Sequence, residues 1–354
     1  MTVMDPRPPT PRTLELARER LDQALSGNPT DVGLLVLRAR ADERTGRYAE
    51  AATYFERAAE LARTVGDRSQ EGDALHDCGL ALSRAGFDDE ALDAYRGALV
   101  CFDLLLDAER AASTRMAIAK HHLAHRRLEE ARHQLEQCLA GLPADASSRG
   151  WAHEKLRHIA ETSGALEEAL EHARTGVRLA AQHGDRAAFG IRLMAVGRLH
   201  HEAGHQAKAR SYLCRALPYL REMGQHGPLL QSLLIIAERS PRAQAVACLN
   251  EALEVVDAEG TTRKQGHVRL LLADQLMEGD PSRARALLAE AVVQFREAGD
   301  PESSAPAWLK LAVLQHRLGD DAEAQISRDR ARKLFEIIGD RGGVERVSAL
   351  FDIW

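Results

Sequence analysis

The sequence predicts an all-α chain, a solenoid of antiparallel helix pairs. Three observations predict it. Ala, Leu, Arg and Glu dominate, and aromatics make up only 4% of the 354 residues; these are the strong helix formers, and runs of β-branched residues are almost absent. A turn followed by an acidic-Ala signature recurs along the chain, as internal repeats do. Between the turns, apolar or small residues fall at i, i+3, i+4 and i+7, the stripe of an amphipathic helix.

Taken from the N-terminus, residues 1–12 carry Pro6, Pro8, Pro9 and Pro11 and no apolar core, so they read as a disordered lead and not as a signal peptide. Residues 13–26 form the second helix of a partial first repeat, closed by Asn28-Pro29, since proline just past a helix end stops it. The repeat array spans 13–340, and residues 341–354 form a capping helix. The clearest signatures begin at Gly46, Gly86, Gly164, Gly204 and Gly319, with weaker copies at Arg126, Ser240 and Gly279. Their marker alanines are Ala51, Ala91, Ala131, Ala169, Ala209, Ala245, Ala284 and Ala324, at spacings of 40, 40, 38, 40, 36, 39 and 40. Within one unit Leu75, Cys78, Gly79 and Leu82 mark a first helix, and Ala91, Tyr95, Ala98 and Leu99 a second. Gly66-Asp67, Gly184-Asp185, Gly299-Asp300 and Gly339-Asp340 close units: glycine ends one helix and aspartate caps the next. The unit around Ala245 is short and bracketed by Pro228 and Pro241, which predicts a change of superhelical course between about residues 224 and 282.

The pattern Leu75-x-x-Cys78-Gly79-x-x-Leu82, then Ala91-x-x-x-Tyr95-x-x-Ala98, resembles the tetratricopeptide consensus, and Trp308-x-x-Leu311-Ala312 looks like the start of the same motif. The resemblance covers roughly residues 13–340. It implies a right-handed superhelix of about eight helix pairs. The long period is similar to that of sensor arms in bacterial transcription regulators, of quorum-peptide receptors and of kinesin light chains. The implied job is protein binding by a bacterial, cytoplasmic scaffold or regulator, with no domain left over for DNA or nucleotide.

The formal charge of -6, with both signs interspersed, argues against a nucleic-acid partner. No apolar run approaches a membrane span, so no membrane partner is expected. The five cysteines are dispersed and odd in number, which reads as buried apolar residues in a reducing compartment.

The sharpest enzymatic pattern is His201-Glu202-Ala203-Gly204-His205, the H-E-x-x-H spacing in which two histidines on one helix hold zinc. Gly204 is a repeat-turn glycine, so the pattern is expected to straddle a helix end. His121 and His125 lie one helical turn apart and could share a metal, but no acidic or cysteine partner is near in sequence. No catalytic residue, metal site or cofactor is therefore assigned, and a metal-dependent hydrolase stays only as an alternative.

The resemblance places the first helix of each unit on the concave face. Aligned on the marker alanines, that face takes Arg40, Arg44, His76, Arg84, Met116, Lys120, Trp151, His158, Met194, Arg198 and His201. Methionine and tryptophan offer apolar contact and arginine a carboxylate fork, which suits an acidic or amphipathic peptide. The plainer alternative is that some of these residues pack between helices and others are ordinary surface. Peptide-binding relatives often carry asparagine here; Arg40, Leu80, Lys120, His158 and Arg198 stand instead, so clamping of a peptide backbone is not expected. A second candidate surface is the apolar C-terminus with Phe351 and Trp354, either packed on the last repeat or a partner or self-association anchor. The leading expectation is a non-catalytic scaffold for a protein or peptide; the alternative is a peptide or small-ligand sensor controlling an effector.

Overall fold

A computed structural model describes residues 11–224 and 226–351, apart from the side chains of residues 11, 350 and 351. Among them the chain is all helix, with eighteen helices and no strand. α1 (Pro11–Gly27) stands alone before the first pair. The pairs are α2 (Val32–Arg44) with α3 (Tyr48–Val65), α4 (Arg68–Ala85) with α5 (Asp88–Leu104), α6 (Ala108–Ala124) with α7 (Leu128–Gly141), and α8 (Ser148–Thr162) with α9 (Leu166–Gln182). They continue as α10 (Arg186–Glu202) with α11 (Gln206–Glu222), α12 (His226–Glu238) with α13 (Arg242–Glu259), α14 (Thr262–Leu276) with α15 (Pro281–Glu297), and α16 (Pro301–Arg317) with α17 (Asp321–Ile338); α18 (Arg341–Phe351) closes the series. From α1 to α8 and from α10 to α18 each helix packs on its sequence neighbour. The chain divides into two compact units, residues 1–179 and 180–354.

The periodic residues do what their spacing implies. All eight marker alanines sit in the first turn of a second helix and none is more than 1% exposed. A methyl group is all that fits where two helices approach most closely. The larger apolar residues fill the gaps on either side: Phe55, Tyr95 and Phe102 in the N-terminal unit, Leu213, Leu288 and Phe295 in the C-terminal one, all essentially buried. Asp67, Asp107, Asp185, Asp280 and Asp300 each accept a hydrogen bond from the backbone N–H three residues on, at 2.9–3.1 Å. That satisfies one of the donors a helix start leaves open.

The turns need a left-handed residue. Gly86 takes φ +86 between α4 and α5. Two equivalent turns lack glycine: Leu106 and Arg126 adopt φ +54 and φ +57, a conformation that costs a non-glycine residue of order 1 kcal/mol. The cysteine expectation holds for Cys78, Cys101 and Cys138, which are buried; Cys214 is exposed and Cys248 half-buried. Burial pushes the Cys78 thiol up to about 12. α18 packs through Val347 and Val344 against Phe335 and Trp308. The Phe351 side chain and Trp354 lie outside the described residues.

Gly79 tests the close packing. A Cβ there would stand 2.6 Å from the Tyr95 ring, itself 1% exposed. Gly79→Ala gains helix propensity of about 1 kcal/mol, but overpacking a filled core costs about 1–3 kcal/mol. The net expectation is a lower denaturation midpoint. Gly27→Ala, whose Cβ meets nothing within 4 Å, should leave the midpoint equal or higher. Urea denaturation of both variants checks this; equal midpoints would show that Tyr95 moves aside freely.

Candidate binding surface on the first helices

In the N-terminal unit the first helices α2, α4, α6 and α8 are joined by polar rungs. Arg40 reaches Asp77 on the next first helix at 3.5 Å, and Arg84 reaches back to Glu43 at 3.1 Å. His76 Nδ1 lies 3.0 Å from the Thr114 hydroxyl. Lys120 stands 5.2 Å from the Trp151 ring, and Lys155, one turn along α8, approaches the same ring at 5.6 Å. Arg157 is held between Glu154 and Glu161 on its own helix. In the C-terminal unit Arg198 pairs with Glu202, and His201 lies between Gln206 at 3.1 Å and Glu238 of α12 at 3.5 Å.

The expected site residues therefore fall into three groups. Arg40, Arg84 and Arg198 are already answered by the chain's own carboxylates. Arg44, Lys120 and His158 are exposed, and no carboxylate partner is found for them among the described residues. Met116, Trp151, Met194 and His201 are half-buried. In the N-terminal unit the structure brings Lys120, Trp151 and Lys155 together; sequence reasoning missed Lys155, although its position four residues after Trp151 on one helix was the signal. It also missed Asp77, which neutralises Arg40.

The H-E-x-x-H pattern loses its geometry. α10 ends at Glu202, Gly204 takes φ +76, and His205 is the cap residue of α11. The two histidines belong to different helices, and Glu202 is occupied by Arg198. A separate hollow of about 520 Å³ lies in the C-terminal unit. Phe295, Arg296, Trp308 and Lys333 line it, and the Arg330 guanidinium lies 4.6 Å over the Trp308 ring.

Burial is the main cause that lowers His76, His121, His122 and His172 from the ordinary 6.5. In the unfolded chain these rings regain their ordinary affinity for protons. The stability that comes from keeping them neutral is complete above about pH 6.5 and is lost as the pH falls below it toward the lower folded values. Glu43 and Asp77 shift upward, again by burial first, which has the opposite sign but acts nearer the carboxylate range. Acidification from about pH 7.5 to about pH 5.5 should therefore speed hydrogen exchange in α4 and α6 before it affects α14 and α15. Equal protection of both regions across that range would contradict this assignment.

Residues 32–101 match the family described as tetratricopeptide repeat. No curated protein matches the chain significantly. Among solved structures, the C-terminal part of a TPR repeat-containing protein from Cytophaga hutchinsonii aligns with a TM-score of 0.56 at 13% identity, over 68% of this chain and 90% of that one. A signal-transduction ATPase with numerous domains from Pyrococcus horikoshii, which has a tetratricopeptide repeat sensor, aligns with a TM-score of 0.58 at 15% identity, over 94% of this chain but only 51% of its own. The apo form of RapI aligns with a TM-score of 0.50 at 13% identity, over 76% of this chain and 99% of that one. At such identities the likeness concerns the fold alone. With its periodic buried alanines and glycine turns, the chain is a series of helix pairs that carries tetratricopeptide repeats over residues 32–101.

Proposed function

We propose that the chain is a non-catalytic interaction scaffold of the cytoplasm that binds an acidic, amphipathic segment of a protein partner on the first helices of its N-terminal unit. The observation that carries this reading is the grouping of Trp151 with Lys120 and Lys155. A half-buried indole offers apolar contact area at low entropic cost, and tryptophan is a frequent anchor of interfaces. For the two ammonium groups beside it no carboxylate partner is found among the described residues, so they favour acidic residues flanking an apolar one in the ligand. The repeat fold is typical of protein–protein interaction, and no helix among the described residues is long and apolar enough to cross a membrane.

The test is fluorescence polarisation with a panel of labelled acidic peptides, each carrying one Phe or Leu, against wild type and Lys120→Glu. Lys120 is exposed, so its reversal leaves the core intact. A peptide held by the wild type should lose at least about tenfold in affinity, or about 1.4 kcal/mol, and Trp151→Ala should lose as much. Binding that survives both changes would move the site elsewhere.

A second reading, a small-ligand sensor, is favoured by the hollow around Trp308. Its volume lies in the range of small-molecule sites, and Arg296, Arg330 and Lys333 would select an anion with an apolar body. Screening aromatic carboxylates by calorimetry should give a ligand whose binding disappears in Lys333→Glu. A ligand unaffected by that change would remove the support for this reading.

A further inference from the structure

The end of α6 carries His121, His122 and His125, and the fold brings an acidic residue to them from 33 positions away in the chain. Asp88 opens α5, and α5 packs along α6, so the start of one helix meets the end of the other. His125 Nε2 lies 3.0 Å from Asp88 Oδ2. His121 Nδ1 faces Asp88 Oδ1 at 3.7 Å, too far for a hydrogen bond. The two imidazole rings stand 4.6 Å apart, tilted by 38°. One nitrogen or oxygen from each of the three residues lies within 4.8 Å of the other two.

A hydrogen-bonded pair explains His125 and Asp88 but leaves His121 unexplained. Its side chain is only 2% exposed, and its Nδ1 is turned to Asp88 Oδ1 at 3.7 Å without reaching hydrogen-bond distance. A buried imidazole whose nitrogen faces a carboxylate without bonding it leaves a polar contact unmade, which is costly. Neutral imidazole is a common ligand of transition-metal ions. The charged groups around His121 are of both signs: Asp88 and Asp89 favour a cation, while the Arg127 guanidinium works against it.

We infer that Asp88, His121 and His125 form a binding site for a divalent transition-metal ion of the zinc class. Two imidazoles and one carboxylate are a donor set that such ions accept, while calcium and magnesium prefer oxygen alone. Ligand atoms around tetrahedral zinc stand roughly 3.3 Å apart, given bond lengths of about 2.0–2.2 Å. Closing the present spacing, at most 4.8 Å, takes movements of up to about 1.5 Å. Asp88 and His125 are each more than a third exposed and have room to rotate. The ion would tie the start of α5 to the end of α6 beside the Arg126 turn, and three protein ligands would leave at least one position open to water.

The experiment is equilibrium dialysis of the chelator-treated full chain against zinc chloride, with cobalt(II) absorption as a report of geometry. Wild type should take up one ion per chain. His125→Ala and Asp88→Asn should each lower the affinity at least tenfold, while His183→Ala, an exposed histidine elsewhere in the unit's neighbourhood in sequence, should change nothing. His121→Ala should do the same as His125→Ala; should it fail to fold, the two exposed ligands carry the test without it. No stoichiometric uptake by the wild type, or uptake indifferent to both His125→Ala and Asp88→Asn, would overturn the assignment.

Discussion

The structure depends on how closely two consecutive helices can approach. At each point of nearest contact the chain places alanine or glycine: the eight repeat alanines are at most 1% exposed, and Gly79 and Gly197 leave no room for a methyl group against Tyr95 and Leu213. Small residues bring the helices near enough for the large ones beside them to interlock. Within each unit a core of this kind is assembled locally, pair by pair, and each pair leans on the next. That is why the chain needs few aromatics, and why those present, such as Tyr95 and Phe295, are buried under a neighbouring glycine.

The same arrangement decides where polar groups can act. The first helices stand near enough for side chains one repeat apart to meet, and they use that reach on one another: Arg40 with Asp77, Arg84 with Glu43, Lys310 with Asp274. Such exposed pairs add little stability, but they lower the charge left for a ligand. A partner drawn to Arg40 or Arg84 would have to displace a carboxylate already within reach. Lys120 and Lys155 are held by an aromatic face instead, and a cation over a ring keeps its charge available.

Much of the fold was legible in the sequence because its causes are local. A glycine turn, an aspartate cap and an alanine at the crossing are each decided within a few residues, and Gly66-Asp67 or Gly299-Asp300 could be read without any knowledge of what packs on them. The surface was less legible because its causes span a repeat. Arg40 reads as a free cation until Asp77 is seen beside it, 37 positions on. His121 and His125 read as lacking an acidic neighbour because Asp88 precedes them by more than thirty residues. Helix faces can be drawn from spacing, but which face meets which depends on the register between repeats.

That register offers an argument about the turn at Arg126. Its counterparts in the repeat are glycines, such as Gly86 and Gly164, and glycine would relieve the left-handed backbone there. The departure coincides with the one place where His121, His125 and Asp88 converge. Arg126 immediately follows His125, the residue that ends α6. A glycine in its place would leave the end of α6 freer to fray, and His125 with it. A stiffer residue narrows the positions open to that imidazole. The conformational cost at this turn is thus tied to the placement of a side chain whose partner lies on another helix, which is where local rules and tertiary demands are expected to part.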